Sequence, residues 1–183
     1  MNRKIIPILV LLLAVVVSCK VDKAENGAKG PNTEESVTTG AGFKISFNAV
    51  VEKDDSFQLF YNEDGTEAFD GDQMIELKLK GNAEPQNIEF VLPDAAKPLN
   101  LRFDIGSSRE LKQVKFNNLS IDYKGKNFKA EGSNFFKYFY PNDQVVCDTV
   151  ASVAKIITKP EQPYDPIIGG TLYLRTELEK LNK

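Results

Sequence analysis

From Gly42 onward, apolar and polar residues alternate along the chain. Phe43, Ile45, Phe47 and Ala49 fall in one phase, with Lys44, Ser46 and Asn48 in the other. The same period returns at Phe57, Leu59 and Tyr61, then at Ile75, Leu77 and Leu79. It recurs at Ile88, Phe90 and Leu92, and again at Leu99, Leu101, Phe103 and Ile105. Alternate side chains of an extended chain point to opposite faces, so each run predicts a half-buried strand. Turn-forming clusters at 52–56, 62–65, 81–85 and 93–98 separate the runs.

Val114 and Phe116 continue the alternation, but Leu119, Ile121 and Tyr123 have moved by one residue. Asn117-Asn118 sits at the change of phase and predicts a β-bulge. Lys124-Gly125-Lys126 then turns the chain into Phe128 and Ala130, completing a hairpin. Further strands are expected over 144–150 and 154–158, followed by an extended loop marked by Pro160, Pro163 and Pro166. In the aromatic stretch 135–141, a short helix after Ser133 buries Phe135, Phe136 and Phe139 and directs Tyr138 and Tyr140 outward. Leu174, Leu178 and Leu181 follow helical spacing, so a short amphipathic helix is expected to open near Thr171 and to lay its apolar stripe on the sheet. Eight or so short strands separated by turns predict an all-β domain over 41–183. Its expected form is an antiparallel, jelly-roll-like β-sandwich with a C-terminal helix.

The first residues obey a different pattern. Arg3 and Lys4 precede thirteen uncharged residues, 5–17, and Val16-Val17-Ser18-Cys19 ends the run. Spanning ~30 Å of hydrocarbon takes roughly 20 apolar residues, so this segment is too short to cross a membrane and suits a signal peptide over 1–18. Aliphatic residues, a small residue and then cysteine resemble the lipobox of bacterial lipoproteins. That resemblance implies that Cys19 becomes the lipidated first residue of the mature protein. It also implies a membrane partner through those acyl chains and an address in the bacterial cell envelope, with the outer membrane as the expected bilayer and the domain facing periplasm or surface. More than one acyl chain gives stable anchoring, at ~0.8 kcal/mol per buried CH₂. The stretch that follows, 20–40, has Val21 and Val37 as its only large apolar residues. Too little surface is available there to offset the entropy of ordering, so 19–40 reads as the lipidated cysteine and a flexible tether, with a reach of roughly 25 Å.

Charge and composition narrow the function classes. Loss of Arg3 and Lys4 with the signal peptide takes the formal net charge from −3 to −5. That balance argues against nucleic acid as a partner. The chain contains no histidine, which excludes Ser-His-Asp and Cys-His catalysis and removes the commonest ligand of zinc, copper and iron. No cofactor is expected; a metal here would be oxygen-loving, such as Ca²⁺. With Cys19 assigned to lipid, Cys147 has no intrachain partner and reads as a small buried hydrophobe.

The segments FQLFY (57–61), NIEFVLP (87–93) and LRFDIG (101–106) occur in an order that resembles a β-sandwich domain attached to some bacterial envelope glycosyltransferases and polysaccharide-processing proteins. The resemblance covers roughly 42–123 and implies an architecture like that of a carbohydrate-binding module, with glycan association as its functional expectation. Ile105 stands where that pattern often has proline, and no transferase or membrane domain accompanies it here.

Three groups of side chains are candidates for a site. The acidic stretch 62–72, with Glu63, Asp64, Glu67, Asp70 and Asp72, is open to three readings: a solvated loop, a structural Ca²⁺ site, or a loop that touches glycan. Tyr138 and Tyr140 either close one end of the sandwich together with Phe135, Phe136 and Phe139 or, if exposed, are candidates for stacking on sugar rings. Asp104, at the end of its strand, reads first as an acceptor for backbone amides of the turn that follows; paired with Glu52 or Glu89 it is the candidate hydrolytic dyad, because glycosidases need two carboxylates ~5–9.5 Å apart. The leading expectation is a non-catalytic envelope lipoprotein whose sandwich binds a glycan or another envelope component. The alternatives are an assembly subunit that contacts a membrane-protein partner, and a glycan-cleaving enzyme.

Overall fold

The computed structural model describes residues 42–183. The signal peptide, Cys19 and the tether expected over 1–40 lie outside the described residues. Eleven strands form two antiparallel sheets. In chain order they are β1 (Lys44–Val51), β2 (Asp55–Asn62), β3 (Met74–Leu79), β4 (Asn82–Val91), β5 (Asn100–Ile105) and β6 (Gln113–Tyr123). These are followed by β7 (Lys126–Glu131), β8 (Phe139–Pro141), β9 (Val145–Asp148), β10 (Val153–Ile156) and β11 (Ile167–Gly170). The first sheet runs β4-β1-β6-β10-β9, with β7 also paired to β6; the second runs β3-β2-β5-β11-β8. The chain crosses between the sheets repeatedly, as expected for a sandwich.

Period two accounts for these strands directly. In β1 every second residue is buried, and β5 and the second half of β6 behave the same way. The expected bulge is present. Asn48 pairs with Asn118 but Ala49 pairs with Phe116, leaving Asn117 as the extra residue. Asn117 donates to Asn48 Oδ1 at 2.8 Å, while Asn118 Oδ1 accepts from the Asn48 amide at 3.2 Å. The bulge thus restores the inward phase of Leu119, Ile121 and Tyr123. The β6–β7 turn has Lys124 at φ 48° and Gly125 at φ 80°, the left-handed pair that a two-residue hairpin requires.

Several boundaries differ from the sequence reading. Residues 82–85, expected in a turn, open β4, and β9 ends at Asp148, leaving Val150 exposed. The segment after the prolines, expected as loop, contains β11. The aromatic stretch does form a short helix, α1 (Phe135–Tyr138), but Phe139 leaves it to start β8. β8 ends in Pro141 and β11 in Gly169-Gly170, so alternation does not mark them.

Phenylalanines fill the space between the sheets. Phe47 of the first sheet meets the edge of Phe103 of the second at 4.1 Å between centroids. Phe90, Phe116, Phe135 and Phe139 complete the cluster, with Phe116 and Phe135 stacked at 4.2 Å. Offset and edge-on arrangements suit the ring quadrupoles. The C-terminal helix, α2 (Leu172–Asn182), buries Leu174, Leu178 and Leu181 as expected. It closes the end where β5 begins, with Asn182 donating to Pro98 O at 2.9 Å and Arg175 to Glu67 Oε1 at 3.1 Å. Thr171 occupies its N-cap, yet the hydroxyl donates to Lys137 O instead of capping the helix. No helix among the described residues is long and apolar enough to cross a membrane.

Phe47 touches both sheets and is fully buried, so Phe47→Ala is expected to cost ~3–5 kcal/mol of stability. A urea titration checks this. A midpoint shift worth less than about 1 kcal/mol would mean that the sheets are not held by this cluster.

Candidate functional site

The two outer faces of the sandwich differ in chemistry. On the first sheet, Lys44, Ser46 and Asn48 alternate with core residues and lie beside Ser120, Asp122 and Glu89. Hydrogen bonds and an ion pair join them: Ser46 to Glu89, Lys44 to Glu89 and Ser120 to Asp122. That face is an ordinary solvated surface.

The second sheet's outer face is built around one register row. Met74 pairs with Phe60, Phe60 with Arg102, Arg102 with Gly169, and Gly169 with Tyr140. Their strand neighbours Leu59, Leu101, Phe103 and Ile168 are buried in the core, so the row faces outward. At strand spacing, the five positions extend about 19 Å across the sheet. The next row places Glu76, Gln58, Asp104 and Ile167 side by side.

Arg102 is fixed from three directions. Its Nε donates to Asp104 Oδ1 at 2.8 Å, and its Nη2 donates to Asp104 Oδ2 at 2.7 Å, a bidentate pair between residues two apart on one strand face. Asp165 Oδ1 stands 3.7 Å from the same Nη2. The guanidinium carbon lies 4.8 Å from the Phe60 ring centroid, within cation–π range. Burial pushes the Asp104 carboxyl above its ordinary value, with the Arg102 hydrogen bonds opposing it.

Tyr140 completes the row by lying over Gly169. A Cβ at position 169 would meet Tyr140 Cζ at 2.8 Å and its hydroxyl oxygen at 2.9 Å. The absence of a side chain at position 169 lets the phenol end of Tyr140 rest on the strand while 40 % of the residue stays exposed. The result is a partly apolar sheet face with the Arg102–Asp104 pair at its centre.

The structure separates the other expected residues from this row. Tyr138 turns in at the side of the sandwich, half-buried, with its ring edge-on to Phe128 at 4.9 Å. Its last-turn position in α1 aims it at β7 instead of outward. Asp64, Asp70 and Asp72 belong to a loop beside the Met74 end, around a shallow depression of about 680 Å³ lined partly by Asp64 and Asp70. The carboxylates there mostly hold the loop itself. Asp64 Oδ1 accepts from the Thr66 amide and hydroxyl, both at 2.9 Å, bonds that lower its pKa. Asp70 Oδ1 accepts from the Asp72 amide at 3.0 Å, and Glu63 accepts from the Lys97 amide at 2.7 Å. Among the described residues no group of three or more Cys, Asp or Glu side chains comes together to hold a metal ion.

The proposed carboxylate dyad does not assemble from Asp104 and Glu89. Buried Phe103 and Ile105 flank Asp104, while buried Ile88 and Phe90 flank Glu89. The two acids therefore project from opposite outer faces, with two sheets packed ~10 Å apart between them. Glu52 is exposed in the turn between β1 and β2.

Sequence reasoning singled out Tyr140 and Asp104 but missed Phe60, Arg102 and Gly169. A signal for Phe60 existed: in FQLFY an aromatic occupies the phase that alternation reserves for polar residues. The chain matches no protein-family profile, no curated protein and no solved structure.

Cys147 offers no chemistry to this face. It lies half-buried on β9 in the first sheet, and burial pushes its thiol up from 9.0 to about 11. At pH 8 its thiolate population is expected to be roughly a hundredfold below that of an unperturbed thiol. Iodoacetamide labelling of a Cys19→Ser variant should accelerate with pH to about 11; a plateau near 9 would contradict the burial.

Proposed function

We propose that this protein is a lipid-anchored envelope protein whose β-sandwich binds a glycan without transforming it. The outer face of the second sheet is the binding surface in this reading. One observation carries it: the phenol end of Tyr140 lies over Gly169 in the same register row as Arg102 and Phe60. Sugar rings present apolar C–H faces and peripheral hydroxyls. A ring laid on the sheet meets the first, and immobilised carboxylate and amide groups beside it meet the second. The motifs resembling glycosyltransferase-associated domains also support the reading, because their outward positions supply Gln58, Phe60, Arg102 and Asp104. The Val-Val-Ser-Cys pattern supports anchoring through lipid on Cys19 and an address in the envelope.

A second reading, assembly with a protein partner, is favoured by the exposed Leu172 and Tyr173 at the start of α2. They are 73 % and 59 % exposed, and Lys137 Nζ lies 4.7 Å from the Tyr173 ring centroid. A glycan-array screen separates the two, since the assembly reading expects no sugar signal.

Two outcomes test the leading proposal. Gly169→Ala and Tyr140→Ala should each weaken glycan binding by about tenfold, while the urea midpoint stays close to that of the parent chain. Unchanged affinity in both variants would remove the face from consideration. Separately, Cys19→Ser should move the protein from the membrane pellet to the soluble fraction; retention in the pellet would refute lipid anchoring.

A further inference from the structure

Resting on the glycan reading above, we propose that this face selects an uncharged oligosaccharide lying across the strands and rejects chains that carry uronate or phosphate groups. The charges on the face lead to this. Arg102 is the cation of its central rows, and both its Nε and its Nη2 are already committed to Asp104. Asp165, half exposed, stands against the same Nη2 at 3.7 Å. Together these three groups carry one net negative charge. Glu76 adds another in the second row beside Gln58. Lys78 lies one row further on, opposite Ser56, near the turn where Lys80 pairs with Asp54. At the β8 end, Asp143 is paired with Lys159.

An incoming carboxylate would therefore meet carboxylates at the centre of the row, beside a guanidinium whose Nε–Nη2 edge is taken by Asp104 and whose charge is more than balanced by Asp104 and Asp165. Like charges brought together in a partly desolvated interface oppose binding strongly. Hydroxyl groups face no such barrier, because they can donate to Asp165 and Gln58 and exchange hydrogen bonds with the Tyr140 phenol. The apolar positions Met74, Phe60 and Tyr140 are set along the row, perpendicular to the strands. Its length of about 19 Å suits an extended chain of sugars better than a single ring.

Isothermal titration of the full-length protein in a sugar-free zwitterionic detergent tests the proposal. The probes are neutral cello-, manno- and galacto-oligosaccharides and, at matched length, oligogalacturonate. At least one neutral series should bind, with oligogalacturonate about tenfold weaker or worse. Asp165→Asn should narrow that gap, and added salt should improve the uronate alone. Gly169→Ala should weaken the neutral ligand. Uronate binding equal to or tighter than that of every neutral series overturns the charge selection and leaves the glycan reading standing. Neutral binding indifferent to Gly169→Ala places the sugar elsewhere and also overturns the proposal. Absence of binding by either class defeats the glycan reading itself.

Discussion

A strand cannot place a residue in the core without placing its neighbour outside, and the phenylalanine core of this sandwich turns that constraint into a surface. Phe47 against Phe103 fixes the two sheets face to face. Once Leu59, Leu101, Phe103 and Ile168 are committed inward, Phe60, Arg102 and Gly169 have no option but outward. A slip of one residue in β5 would send Arg102 into the core and Phe103 into water. Loss of hydrophobic burial and an unpaired buried charge both oppose it. Alignment of the outer row is thus enforced by packing on the other side of the sheet.

The same constraint explains what was legible in the sequence. β1, β2, β5 and β6 each bury several residues at strict period two, and each was visible. The bulge at Asn117 was visible too, because only an inserted residue reconciles Phe116 with Leu119 on one face. β8 and β11 were not. β8 has three residues and ends in Pro141, and β11 ends in Gly169-Gly170, which carry no side chains to alternate. Those two strands owe their place to neighbours: β11 pairs with β5, and β8 with β11. Local sequence does not contain that information.

The candidate site was legible to the extent that its parts lay on the visible strands. Asp104 was seen as an acid at a strand end, but its partners were sought among the amides of the next turn and among other carboxylates. The partner is Arg102, two residues away, and the pairing follows from strand geometry alone. Tyr140 was found as an aromatic of unusual context. Its platform, Gly169, lies twenty-nine positions along the chain and is adjacent only through β8–β11 pairing. Tyr138 shows the reverse case. Helical phase suggested an outward ring, yet the short α1 stops after one turn and leaves that ring against Phe128.

Rigidity is what this arrangement offers a ligand. Arg102 would ordinarily lose side-chain entropy on binding, but Asp104 and the Phe60 ring already hold it. On the proposed glycan reading, a shallow, preformed face of this kind would save ordering cost yet enclose little of its ligand, so a single contact would be of modest affinity. Attachment at a membrane, as proposed for Cys19, would compensate by confining many copies to one surface. Neighbouring faces could then engage one long polymer at high effective concentration. Weak single contacts with rapid exchange would suit that geometry, because a polymer would be held collectively while each copy could move along it.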